Sequence, residues 1–367
     1  MLERFQATWR PVRVRKTRQA GNPEPGFDSI ETEKTAPDRN LTRRRMIAIV
    51  ATAAGSAFLT GGRTAQAGDA VRWQGSALGA QVSIEIYHPD RAEAERLVER
   101  CIQDVRRLEQ QFSLYRADSA ICSLNRSGVL VSPDADMVAL LKASLLFGDL
   151  TDGAFDPTVQ PLWRLYTEHF AAERPDPDGP SPQRLAEALA KVGHRGLLVS
   201  ADRIALTRHG AAITLNGIAQ GYATDRVADR LRQAGLSTTL VNMGEIRAIG
   251  ARPEGSPWRI GLADPDNPGA LTETVDLVDR AVATSAGAGF RFDPRGRFTH
   301  LFDPATGRSP SLYRTVSVLA PTATEADALS TAFSLLPVSR IRDIVSFRPN
   351  VQARMVDSDG TLIVCDA

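Results

Sequence analysis

Cysteine is scarce in this chain. There are three, Cys101, Cys122 and Cys365, and no two stand at CxxC spacing. That excludes a zinc framework and a disulfide scaffold, although spacing alone leaves a Cys101–Cys122 bridge open. A membrane-length apolar run is missing as well. The stretch of apolar and small residues at Met46–Thr60 is 15 residues long, short of the roughly 20 that span a bilayer. The net charge of +1 hides a division: residues 1–67 hold 12 Lys/Arg against 6 Asp/Glu, so the other 300 residues carry −5. A mildly acidic body without a basic stripe argues against nucleic-acid binding. Neither GxGxxG nor a P-loop occurs, and the body has no internal repeat and no low-complexity tract.

What is present reads as an ordinary soluble protein, 43% apolar and 24% charged, large enough at 367 residues for one big domain or two. Residues 1–40 are polar, contain proline and show no sustained periodicity, the pattern of a disordered segment. Thr42-Arg43-Arg44-Arg45-Met46-Ile47 then resembles the twin-arginine export motif, and Ala65-Gln66-Ala67 has the small-x-small form of a cleavage site. Residues 1–67 are therefore expected to be a disordered n-region with a twin-arginine signal. Residues 68–367 are expected to be the working domain, folded before export and placed in the periplasm. Retention at the inner membrane by an uncleaved signal is the alternative. No cysteine follows the apolar run, so a lipoprotein anchor is not expected there.

Within the body, Val71–Tyr87 alternates around Ser76-Ala77-Leu78-Gly79-Ala80 and predicts two strand pieces. Arg91–Gln111 predicts an amphipathic helix with Leu97, Cys101, Val105 and Leu108 on one face, and Asp134–Leu150 predicts another. Thr151-Asp152-Gly153-Ala154-Phe155-Asp156-Pro157-Thr158 reads as a fixed turn. Leu185–Val192 reads as a helix, and a hairpin is expected around Ala201-Asp202. Ile213–Leu215 is expected to be a strand feeding the turn Asn216–Tyr222 and a helix to Ala234. Strands are expected at Thr238–Asn242, Ile246–Ile249, Trp258–Leu262, Thr274–Val278, Ala281–Thr284, Phe298–Phe302 and Thr315–Leu319, then near Val351–Val356 and Thr361–Val364. Strands outnumber helices without strict βαβ alternation, so the fold class is α+β.

The last helix carries the most informative pattern. Thr322–Leu335 offers Thr322 and Thr324 as N-caps, Glu325 in the first turn, and an apolar face of Ala328, Leu329, Ala332 and Phe333. Asp327 and Thr331 interrupt it four residues apart, with Ser330 beside them. A carboxylate and two hydroxyls on one patch suit a hard cation such as Mg²⁺ with a substrate phosphate; a solvated helix edge has the same spacing. Two other segments are similarly two-sided. Gly217 to Tyr222 is a strand-to-helix turn that fits either a phosphate or a purely structural role. His300, between apolar residues and before Asp303-Pro304, fits either a satisfied, partly buried histidine or a general base.

Taken together and in order, the sequence resembles the ApbE-type FAD:protein FMN transferases. The matching blocks are FSLYRADSAICSLN, TDGAFDPTVQPLW, GIAQGYATD, LVNMGEIRAIG, PWRIGLADP, AVATSAG, HLFDPATG and EADALSTAFSLL, eight across about 260 residues. The resemblance implies an ApbE-like, T-fold-related α+β domain of mixed sheets with packed helices. It implies Mg²⁺-dependent transfer of FMN from FAD to a Thr or Ser hydroxyl of an acceptor protein through a phosphodiester, with release of AMP. By position, Asp327, Ser330, Thr331 and the carbonyl of Gly217 would bind the metal. Leu78, Tyr115, Ala154, Phe155, Asp156, Thr214, Gln220 and Leu301 would line the FAD site, and His300 would be the catalytic base. Three departures stand out: Leu78-Gly79-Ala80 where the family usually has Met-Gly-Thr, Thr214 for a common Asp, and Gln220 for a common Lys or Glu. An FAD pyrophosphatase and a non-catalytic flavin-binding assembly factor are the competing functions. Export of such a protein is similar to the branch associated with nitrous-oxide respiration. The acceptor would then be a membrane-bound respiratory flavoprotein with a periplasmic FMN-binding domain.

Overall fold

The computed structural model describes residues 70–265, 267 and 269–367, so the expected twin-arginine motif and cleavage site lie outside the described residues. The described chain opens with β1 (Ala70–Ala77) and β2 (Ala80–Tyr87). They are joined at Leu78 and Gly79, whose φ of 46° and 83° are the left-handed values of a two-residue hairpin turn. A mostly helical stretch follows: α1 (Arg91–Phe112), α2 (Ala120–Ser127), β3 (Val129–Val131), α3 (Ala135–Leu150), α4 (Gln160–Phe170) and α5 (Pro182–Leu189). Next come β4 (Leu197–Val199), β5 (Arg203–Leu206), α6 (Ala219–Gln233), β6 (Thr239–Asn242), β7 (Ile246–Ile249), β8 (Trp258–Ala263), β9 (Leu271–Leu277) and β10 (Ala281–Ser285). The chain closes with β11 (Tyr313–Ala320), α7 (Ala323–Phe333), α8 (Val338–Ser346), β12 (Gln352–Asp357) and β13 (Leu362–Asp366).

Eight strands form one sheet in the order β1-β2-β6-β7-β10-β11-β12-β13, and every ladder is antiparallel. Period-2 alternation sorts its side chains onto two faces. Val316 and Val318 of β11 and Ala283 of β10 join the main core, together with the buried stripes of α1, α6 and α7. Leu319 and Val282 join a second cluster built on Trp258, Ile260, Val275 and Leu277 of the β8–β9 hairpin. Helices thus cover one face and a hairpin the other, and a fully covered sheet explains strands as apolar as β7. A third cluster packs α4 and α5 against residues 292–302 through Leu162, Tyr166, Phe292, Phe298 and Phe302.

Two expected strands do not form ladders. Ile213 spends both backbone groups on the Asn125 side chain (2.7 and 2.8 Å), and the Thr214 N–H goes to the Pro157 carbonyl. Residues 298–302 make one isolated bridge, Arg291 to Thr299. Helices α4 and α8 and the short β3 were not expected from the sequence pattern. All three cysteines are free, so the Cys101–Cys122 bridge is absent; Cys101 is buried on the α1 stripe. Among the described residues no helix is long and apolar enough to cross a membrane.

Candidate functional site

The polar notch of α7 is not a solvated edge. Asp327 is 4% exposed and Ser330 1%. The helix is started by Thr322, whose hydroxyl accepts the Glu325 N–H, as capping requires. A second cap comes from another helix: the Asp225 carboxylate of α6 accepts the N–H groups of Ala323 (2.9 Å) and Thr324 (2.8 Å) and the Thr324 hydroxyl. Thr324 is thus held by this cap and is not itself the N-cap. Asp225 in turn pairs with buried Arg247 of β7 at 2.7 Å.

Two glycines let α6 and its preceding turn approach α7. A Cβ on Gly221 would lie 2.3 Å from the Ala323 carbonyl oxygen, so only hydrogen fits. That closeness brings the Gly221 N–H to Asp327 Oδ2 at 2.9 Å. One turn earlier, a Cβ on Gly217 would lie 2.9 Å from Thr331 Oγ1. Gly217, Asp327, Ser330 and Thr331 are therefore brought to one junction. Ser285, at the end of β10, completes it, with its hydroxyl 2.9 Å from Ser330 Oγ and 3.4 Å from Thr331 Oγ1.

The electrostatics of this junction are unusual. Burial pushes the Asp327 carboxyl up to about 7; the Gly221 N–H opposes the shift and the Asp225 charge adds to it. A second buried acid, Glu245, sits within its field. Burial, then the Asp327 charge, hold Glu245 well above the ordinary carboxylate range, against a hydrogen bond from the Thr284 N–H. No Lys or Arg among the described residues offsets either group. Two neighbouring buried acids must take up protons or a cation. Among the described residues no three His, Cys, Asp or Glu side chains gather as an ion site. The donors here are of another composition: one carboxylate, two hydroxyls and the carbonyl of a turn, all hard oxygens of the kind Mg²⁺ accepts alongside substrate phosphate.

The residues expected to line the FAD site fall into three groups. Leu78, at the β1–β2 turn, receives Glu109 of α1 on its N–H (2.7 Å) and Gln220 on its carbonyl (3.4 Å). Gln220 also lies over Gly244, where a Cβ would meet its Cδ at 2.7 Å. Thr214 is tied to the Asp156 turn through Pro157, and its hydroxyl accepts the Asn216 N–H. In that turn, Asp156 is buried and accepts from Thr158 and from the His194 N–H. Phe155 points into the core against Phe147, which leaves Ala154 and main chain as the accessible part. Tyr115 lies on the loop after α1, 71% exposed, with its N–H on the Ser113 hydroxyl.

His300 and the buried Leu301 end a segment that doubles back on itself, with the Phe292 N–H on the Phe298 carbonyl and the His300 N–H on the Phe290 carbonyl. Tyr166 and Trp163 of α4 pin its aromatic underside. Burial lowers the His300 pKa, opposed by the Phe290 carbonyl, so the imidazole is neutral near pH 7. Its Nδ1 is 3.4 Å from that carbonyl, which favours the proton on Nδ1 and leaves Nε2 as an acceptor.

Sequence reading missed Glu245, Asp225, Gly221, Ser285 and Glu109. Glu245 gave a signal: an acid inside NMGEIRAIG, between apolar residues on both sides. The others depend on partners distant in the chain.

Comparison with known proteins agrees with this arrangement. A sequence model of the ApbE family matches residues 78–355. The FAD:protein FMN transferase of Escherichia coli K12 is 32% identical over 264 residues, 69% of this chain and 74% of its own. That of Treponema pallidum is 30% identical over 290 residues, 73% and 79% of the two chains. Among solved structures, the ApbE protein of Thermotoga maritima has a TM-score of 0.70 at 29% identity, covering 81% of this chain and 97% of that one. The flavin transferase ApbE of Vibrio cholerae has the same TM-score and coverage at 26% identity. A match of that extent, over the same segments that build the junction of α6, α7 and β10, makes the chain a member of the ApbE family.

Proposed function

We infer that this chain is an FAD:protein FMN transferase, an enzyme that moves FMN from FAD onto a protein. The observation that carries the reading is the buried Asp327, beside Thr331 and against Gly217, with its charge uncompensated. Asp327, Thr331, Ser330 and the Gly217 carbonyl would hold Mg²⁺. When bound, the ion would neutralise charge building on the diphosphate oxygens.

The chain's own groups do the rest. Gly217 and Gly221 hold the turn close enough for main chain to meet a diphosphate. The Leu78 turn, fixed by Glu109 and Gln220, and the Ala154–Asp156 turn, fixed by Thr158 and His194, supply walls for the ring systems. Neutral His300 accepts the proton of the acceptor's Thr or Ser hydroxyl at Nε2. The hydroxyl oxygen bonds to the FMN phosphorus, the bond to the AMP phosphate oxygen breaks, and AMP leaves. Thr214 and Gln220, where this chain departs from the family, hold main chain here: Thr214 accepts the Asn216 N–H and Gln220 donates to the Leu78 carbonyl.

The twin-arginine motif at 42–47 supports periplasmic action, on a membrane-bound respiratory flavoprotein. The test is incubation with FAD, Mg²⁺ and periplasmic and membrane fractions, read by in-gel flavin fluorescence after denaturation. The wild type is expected to label a membrane-fraction protein and Asp327→Ala to label none. Full labelling by Asp327→Ala would sink the metal assignment. Rapid FMN and AMP release without a labelled band would point to a pyrophosphatase.

A further inference from the structure

The Thr299 side chain is 6% exposed, and its hydroxyl is buried without a hydrogen-bond partner. Buried hydroxyls are rarely left so, because the lost hydration is not repaid. The hydroxyl cannot be satisfied by a shift of its own backbone, which is locked on both sides. Ser309 Oγ accepts the Thr299 N–H at 2.7 Å and donates to the Thr299 carbonyl at 3.1 Å. Across from it stands Gly287, where a Cβ would come within 3.2 Å of Thr299 Cγ2 and 3.5 Å of Oγ1. A glycine there brings no side-chain partner to the hydroxyl.

Its place in the site is defined from two directions. Gly287 lies two residues after Ser285, which touches Ser330 and Thr331 of the metal junction. The residue after Thr299 is His300. We propose that Thr299 Oγ1 is a substrate-binding donor, giving its proton to a diphosphate oxygen of bound FAD between the metal junction and the base. A hydroxyl given to an anionic oxygen is a strong, charge-assisted bond, and it would satisfy a donor left without a partner by the fold. The inference rests on the assignment of the Asp327 junction to the diphosphate.

The test compares Thr299→Val, which keeps the shape, with Thr299→Ser, which keeps the hydroxyl. Binding of FAD and of riboflavin, which lacks phosphates, is followed by flavin fluorescence, alongside kcat/KM for flavinylation and the melting temperature of the unliganded protein. Expected for Thr299→Val are about tenfold weaker FAD binding, a matching fall in kcat/KM, unchanged riboflavin binding, and an unchanged or raised melting temperature. Thr299→Ser should stay within about twofold of wild type throughout. Wild-type FAD affinity in Thr299→Val, an equal loss for riboflavin, or a lowered melting temperature in both variants would each overturn the proposal. Retained activity of Asp327→Ala would instead overturn the metal-side reading beneath it, whatever Thr299 does.

Discussion

Gly221 shows how much of the site hangs on one missing methyl group. The position has ordinary helical backbone, so its glycine is required by closeness and not by φ. An added Cβ would meet main chain, the Ala323 carbonyl at 2.3 Å, and the helices would have to part. Gly221→Ala is expected to cost about 3 kcal/mol in urea unfolding, the range of overpacked cores, and to remove most activity by withdrawing the N–H from Asp327. Gly217→Ala is the contrast. Its Cβ would meet the Thr331 side chain, which can rotate away. About 1 kcal/mol or less is expected there, with activity down roughly tenfold because the Thr331 hydroxyl is displaced. Equal destabilisation by the two would contradict this account of the α6–α7 approach. Asp327 and Thr331 could be read from the sequence because a helix puts residues four apart on one face. Glu245 could not be assigned a role, since its importance comes from Asp327, a residue far along the chain on another element.

Helix α7 begins on two caps of different weight. Thr322 is a local cap, and Thr322→Ala is expected to cost about 1 kcal/mol. Asp225 accepts two N–H groups of the same helix and neutralises Arg247, whose side chain is 9% exposed. Asp225→Ala strands both N–H groups and leaves Arg247 only the longer, partly exposed pair with Asp229 at 3.3 Å, and the expected loss is about 3 kcal/mol, the low end for a broken buried pair. Urea unfolding of both variants checks the order; a smaller cost for Asp225→Ala than for Thr322→Ala would overturn it. Other elements were legible to different degrees, for physical reasons. A long helix with a clear stripe, such as α1, follows from period alone, and so do most strands of the large sheet. Segments 213–215 and 298–302 have the alternation of strands but not the ladders. Asn125 takes the backbone groups of Ile213 and Ser309 those of Thr299, and a period-2 pattern says nothing of which group will bond. Helix α4 begins at Gln160-Pro161, just after a Pro-containing turn, and its apolar residues face aromatics of the 290–302 segment, so local pattern alone did not reveal it.

At the scale of the whole molecule, the fold concentrates an electrostatic cost where the sheet, α6 and α7 meet. Asp327 is pushed up to about 7, so the folded protein binds more protons there than the unfolded chain, whose aspartate titrates near 4. That sign makes metal-free stability fall as pH rises from about 4 through about 7, with Glu245 extending the effect upward. On the proposed reading Mg²⁺ should reverse it, because an ion held by deprotonated Asp327 would stabilise the native state and would have no such site in the unfolded chain. At a hundredfold excess over its dissociation constant it should add about 2.7 kcal/mol, enough for a shift of several degrees in melting temperature. The shift should be larger at pH 8 than at pH 6, where protons compete for Asp327. Melting curves with and without Mg²⁺ at both pH values, on wild type and Asp327→Asn, provide the measurement. Asp327→Asn should melt higher than wild type at pH 8 without Mg²⁺ and gain little from the ion. A Mg²⁺ shift that is the same at both pH values, or that survives in Asp327→Asn, would mean the ion is held elsewhere.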